Sequence, residues 1–163
     1  INPFASSTWT DPGHTLDEFD VKGRSQVLGL QLTHPIIRTR TLNITTRGLF
    51  DMRNVTSSNN IEDTREDKIR AVRAGGRIEY LDTILGVAYN AFDLQLSKGL
   101  DVLGATDDGE TKVSRPAASG SFFKANAELQ RLQRLTSDIN LLLGVSGQWA
   151  SDALLSSEEF GVG

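Results

Sequence analysis

Arg40-Thr41-Leu42-Asn43-Ile44-Thr45-Thr46-Arg47-Gly48-Leu49-Phe50-Asp51 alternates apolar and polar residues almost without a break. Successive side chains of an extended chain point to opposite sides. Leu42, Ile44, Thr46, Gly48 and Phe50 therefore share one face, and Asn43, Thr45, Arg47, Leu49 and Asp51 share the other. Period-2 patterning over this length predicts a strand between two unlike environments.

Five further stretches read the same way, at about 24–33, 68–79, 85–97, 122–132 and 138–149. In the last, Ile139, Leu141, Leu143, Val145, Gly147 and Trp149 oppose Asn140, Leu142, Gly144, Ser146 and Gln148. In 122–132, Phe123, Ala125, Ala127 and Leu129 oppose Lys124, Asn126, Glu128 and Gln130. Phe92, Leu94 and Leu96 oppose Ala91, Asp93, Gln95 and Ser97; Val72, Ala74, Gly76 and Ile78 oppose Ala71, Arg73, Gly75 and Arg77. The connections run short, long, short, long, short. Thr33-His34-Pro35-Ile36-Ile37-Arg38 reads as one of the short turns, while 52–67 and 98–121 read as long polar loops rich in Ser, Asn, Asp and Gly. That alternation predicts up-and-down antiparallel order with the long loops at one end, as in an outer-membrane barrel. Loops of such length are uncommon in compact soluble domains.

Composition is compatible with this and excludes other classes. The 163 residues suit one domain, and no apolar run approaches the ~20 residues of a membrane helix. Each stretch is close to the ~9–11 residues a strand needs to cross a bilayer. A net charge of −4 with scattered basic residues disfavours nucleic acid as a partner. Without cysteine there is no disulfide framework, thiol nucleophile or cysteine metal site. A chain that starts at Ile1 reads most simply as a mature or trimmed product.

Two sets of residues stand out on the expected faces. Phe50, Phe123 and Trp149 fall on the apolar side at the long-loop end, where an external aromatic girdle belongs. Arg47, Arg73, Arg77, Asp93, Lys124 and Glu128 fall on the polar side. They are candidates to line a water-filled conduit, and they can equally pair with one another across strands.

Several runs carry a family resemblance. They include Asp20-Val21-x-Gly23-Arg24-Ser25, Leu28-Gly29-Leu30, Arg47-Gly48-Leu49-Phe50-Asp51-x-Arg53-Asn54 and Gly99-Leu100-Asp101-x-Leu103-Gly104-Ala105-Thr106. Leu129-x-Arg131-Leu132-Gln133-Arg134-Leu135 and Ser146-Gly147-Gln148-Trp149-x-Ser151-Asp152 continue into Leu154-Leu155-Ser156-Ser157-Glu158-Glu159-Phe160-Gly161. In order and strand placement these resemble the barrel region of the ShlB/FhaC/HecB haemolysin activation and secretion proteins. Those are the outer-membrane transporters of two-partner secretion, related to BamA-type insertases.

The resemblance implies an all-β, up-and-down transmembrane segment of about six strands within a sixteen-stranded barrel. It implies localisation in the bacterial outer membrane, a secreted TpsA-type adhesin or cytolysin as partner, and contact with outer-membrane lipid and the remaining barrel strands. The family's periplasmic partner-recognition domains and plug helix have no counterpart in these residues, so a middle section of a transporter is expected. On this basis 1–23 is an external loop, 24–149 holds six strands, and 150–163 begins the long loop that enters the lumen. Phe160 and Gly161 are its candidate anchor, with Gly161 and Gly163 permitting a sharp reversal.

Nothing points to an enzyme or to a cofactor. His14 and His34 have no orienting partner for a nucleophile triad. Asp107-Asp108-Gly109 lacks the ligand spacing of a calcium loop, and no phosphate-binding loop is present, so transport would draw on folding outside the cell. The other classes are a soluble antiparallel β binding module and a passive porin-like channel.

Overall fold

The structure, a computed structural model, describes residues 1–11, 22–59, 64–115 and 117–161. Seven strands form one antiparallel sheet in sequence order: β1 (Asn2–Thr10), β2 (Lys22–Arg38), β3 (Leu42–Ser58), β4 (Arg65–Asp82), β5 (Ala88–Gly99), β6 (Phe123–Arg134) and β7 (Asn140–Ala150). A short 3₁₀ turn, Ser156–Glu158, follows. No helix among the described residues is long and apolar enough to cross a membrane, which is silent about strands that cross. All-β, up-and-down order is as the alternation predicts.

Three expectations need correction. The strands number seven, because Asn2–Thr10, expected in an external loop, pairs with Gly23–Gln31 of β2. Its Ser and Thr run hides the alternation, since backbone pairing needs no apolar face. The rest of that expected loop, 12–21, lies outside the described residues. Next, 34–38 is not a turn. His34 and Pro35 continue β2 opposite Thr46 and Thr45, with a bulge between Pro35 and Ile37, and the turn is 39–41. A bulge is one of the few places a strand tolerates a residue without an N–H. Lastly, most of 52–67 is strand: β3 runs to Ser58 and β4 starts at Arg65. β2, β3 and β4 thus have 17, 17 and 18 residues, several more than a bilayer requires. Their outward residues there, such as Asn54, Thr56 and Lys68, are polar.

The length asymmetry between the two ends survives. The β2–β3, β4–β5 and β6–β7 junctions are 39–41, 83–87 and 135–139, whereas 100–122 joins β5 to β6. Hydroxyl side chains close two tight turns: Thr39 Oγ1 accepts from Leu42 N at 2.9 Å, and Thr136 Oγ1 from Ile139 N at 3.1 Å.

The small core sits at the long-connection end. Residues 100–115, 117–122 and 151–159 fold over one face of the sheet, where Val113, Phe122, Leu154 and Leu155 cover Ile69 and Ala71 of β4. Gly99 lets them approach: a Cβ there would lie 2.6 Å from the Phe122 ring. Phe122 and Leu155 are at most 1 % exposed, and each contributes about 1.5–3 kcal/mol by burial. Where β5 stops, 100–112 takes over its hydrogen bonds to β4, with Leu100 N donating to Arg70 O and Thr106 N to Lys68 O, at 2.7 and 2.9 Å. Those bonds satisfy backbone groups of β4 that β5 no longer reaches.

The opposite face is apolar and open. Leu28, Leu30, Leu32, Leu94, Leu96, Leu129, Leu143, Val145 and Trp149 are all exposed on it. A face this large and this apolar requires a cover that is not water.

Candidate functional site: the polar face and the segment docked on it

The strand register puts the charged candidates on one face in successive rows. One row runs Thr45, Arg77, Asp93, Glu128, Ser146. The next runs Arg47, Gly75, Gln95, Asn126, Gln148, and the one above it Leu49, Arg73, Ser97, Lys124, Ala150. All six lie on the face that 151–159 covers, opposite the exposed leucines.

Most are paired. Arg47 on β3 crosses β4 to reach Asp93 on β5 with a bidentate pair at 2.7 and 2.5 Å. It can cross because Gly75 lies beneath it: a Cβ there would come within 3.3 Å of the guanidinium and 2.6 Å of Leu94 O. Arg77 donates to Glu79 at 2.9 Å, and Tyr89 OH donates to the same carboxylate at 2.6 Å. Arg73 donates to Asp51 at 2.6 and 3.2 Å. Glu128 accepts from Gln130 and has no ion pair among the described residues.

The centre of the arrangement is a residue the sequence reading passed over. Glu158, 3 % exposed, descends from the Ser156–Glu158 turn onto the row of Arg73, Ser97 and Lys124. Ser97 is the gap that admits it, a small, fully buried residue between two long cations. Arg73 grips the carboxylate at 3.0 and 2.7 Å; Lys124 pairs with it, and Arg53 stands 3.6 Å away. The backbone is held too, with Lys124 Nζ donating to Glu158 O at 3.0 Å and Arg53 to Ser157 O at 3.0 Å. Burial alone would push this carboxyl up, but the hydrogen bonds and charges of Arg73 and Lys124 outweigh it and hold it down at about 2. Such a pair stays ionised at any physiological pH.

Phe160 is 41 % exposed. It borders an open cavity of about 380 Å³ on the same face, together with Phe4, Val27 and Leu49. A Cβ on Gly161 would meet nothing within 4 Å, and Gly163 lies outside the described residues. Arg115 pairs with Glu159, and Ser156 N donates to Ser114 Oγ at 3.0 Å, so Glu158 is the buried part of a wider polar grip on 151–161.

The aromatics occupy the other face. Phe50 stands opposite Val72, Val72 opposite Lys98, and Lys98 opposite Phe123. Trp149, opposite Ala125, meets Phe123 edge-on with ring centroids 6.1 Å apart. Trp9 extends the line on β1, with the Arg24 guanidinium 5.4 Å over its ring. It was hidden in the stretch expected to be loop. The described residues contain no grouping of His, Asp or Glu that could hold a metal.

No curated protein and no solved structure matches the chain. One family model does, that of the haemolysin secretion/activation protein ShlB/FhaC/HecB, over residues 5–163. A sheet with one charged face, one lipid-suited face and tight turns at one end is what a wall segment of such a barrel requires. The chain belongs to the ShlB/FhaC/HecB family, the outer-membrane transporters of two-partner secretion.

Proposed function

We propose that this chain builds part of the wall of an outer-membrane pore through which a secreted TpsA-type adhesin or cytolysin passes unfolded. The observation that carries this is the paired polar face. Arg47 with Asp93, Arg77 with Glu79, and Arg73 and Lys124 with Glu158 and Asp51 cancel locally. Gln95, Asn126 and Gln148 lie in the row between. A wall of neutralised charge and amides offers a passing chain hydrogen bonds that are easily exchanged, and transport needs contacts weak enough to release.

On this reading 150–163 begins a lumen-entering loop. Glu158 holds it to the wall, and Phe160 adds an apolar contact at its base. The test is made in the complete outer-membrane protein, by secretion of its partner and by conductance in planar bilayers. Glu158→Gln should widen or destabilise the conductance, and Phe160→Ala should lower secretion while assembly in the membrane stays normal. Wild-type secretion and conductance in both variants would remove the loop from the mechanism. A protein that stays soluble without detergent and never conducts would favour a binding module.

A further inference from the structure

At the long-connection end of the outward face, apolar residues give way to polar ones within two residues. Leu28 and Met52 form the last apolar pair on β2 and β3; above them Gln26 stands opposite Asn54, and Asn54 opposite Lys68. Cations cluster at this boundary. Arg24 is the direct cross-strand partner of Trp9, and Lys98 that of Phe123. Both cations point outward and are exposed. Lys68, 39 % exposed, is paired with Glu66, the one acid among the outward-facing described strand residues at this end.

Neither the pore nor the docked segment uses these groups, since they face away from both. An outward cation beside an outward aromatic, twice over at the same boundary, suits a surface of fixed phosphates above hydrocarbon. The ring settles at the interface, while the cation takes the phosphate. In the outer leaflet of an outer membrane, that chemistry belongs to a phosphorylated glycolipid. We infer that Arg24 with Trp9 and Lys98 with Phe123 form two contact points for the phosphates of the outer-leaflet glycolipid; the inference rests on the membrane-spanning reading above.

The opposite end differs in kind. There the outward Arg131 is engaged by Asp82 at 2.6 and 3.2 Å and by Asn90 at 2.7 Å, leaving a self-satisfied cluster. Among the described outward strand residues, the exposed Arg24 and Lys98, for which no carboxylate partner is seen, lie at the end with the long connection.

The experiment uses the complete protein, purified in detergent and reconstituted into vesicles containing either lipopolysaccharide or the same lipid stripped of its lipid A phosphates. Retained lipid is counted on the protein by native mass spectrometry. The expected result is preferential retention of the phosphorylated form, falling about fivefold for each of Arg24→Gln and Lys98→Gln. Arg24→Lys and Lys98→Arg should restore it, and added salt should weaken it. Equal retention of the two lipids, or retention unchanged in the Arg24→Gln/Lys98→Gln double variant, would overturn the inference. Insertion into vesicles is scored separately in the same samples. A protein that inserts but ignores phosphate refutes only this contact, whereas one that does not insert refutes the membrane-spanning reading itself.

Discussion

Glu158 shows how much one residue can decide. Arg73 and Lys124 have only Leu49, Ser97 and Ala150 as row neighbours, so neither finds a carboxylate in its own row. Asp51, one step along β3, supplies Arg73 only. A buried cation without an anion is costly, and the segment 151–161 brings the anion. Replacing Glu158 with Gln removes it while keeping the shape, and should cost on the order of 3 kcal/mol. The measurement is protease cleavage within 151–161, expected to accelerate with the strands intact. The pH dependence has a definite sign. The folded carboxyl is depressed to about 2, below the ~4.3 of a free glutamate. The docked state thus has its full stabilisation above roughly pH 4.3 and loses it as pH falls toward 2. Protection that rose on acidification would contradict this assignment. A second contrast tests the faces. Arg in place of the outward Val145, midway along β7, should destabilise the membrane-inserted protein by about 2–4 kcal/mol. Arg in place of Ser146, beside unpaired Glu128 on the polar face, should cost little. Denaturant titration in lipid distinguishes the two.

At the scale of elements, the strands carry the fold and two small residues shape its polar face. Gly75 holds open the path by which Arg47 crosses β4. Gly75→Val should break the Arg47–Asp93 pair and crowd Leu94 O, lowering folding yield. Gly48→Ala, where a Cβ meets nothing within 4 Å, should be neutral. Heat-modifiability on gels reads both. These strands were legible in the sequence wherever one side meets an apolar medium, because that medium enforces the period-2 pattern. Leu42–Phe50 and Leu141–Trp149 are the clearest cases. The pattern fails for Asn2–Thr10 and for the far ends of β3 and β4. There runs of Ser, Thr and charged residues break the alternation, and backbone hydrogen bonds hold the pairing. The docking of Glu158 was illegible for another reason. In sequence it is one carboxylate among Ser156, Ser157 and Glu159; only the register that aligns Arg73 with Lys124 singles it out. The signal available was Lys124, an inward cation whose row supplies no carboxylate.

For the whole molecule, the decisive feature is that the sheet is open. Among the described residues β1 pairs only with β2 and β7 only with β6, so each carries an unpaired edge. In hydrocarbon an unsatisfied backbone group costs several kcal/mol, and edges are abolished by closure. These 163 residues expressed alone should therefore not yield a monomeric, heat-modifiable band in detergent, whereas the complete protein should. A stable monomer with exchange-protected amides along both Asn2–Thr10 and Asn140–Ala150 would mean that the two edges meet.

On the membrane-spanning reading, the outward rings on the two edge strands, Trp9 and Trp149, set the mean inclination of the wall. Trp9 stands opposite Arg24, which stands opposite Thr56; Trp149 reaches Gly48 through Ala125, Leu96 and Ala74. From β1 to β7 the line thus descends from position 56 of β3 to position 48. A membrane interface is level, so the strands must lean to bring these rings to one height. Roughly 27 Å along the strands against roughly 29 Å across six strand spacings gives a lean of about 40°. That is the slope at which a strand of about ten residues spans the apolar band. On that reading, the strands that complete the cylinder keep the same mean stagger, about four residues for every three strands, so that the ring closes on itself.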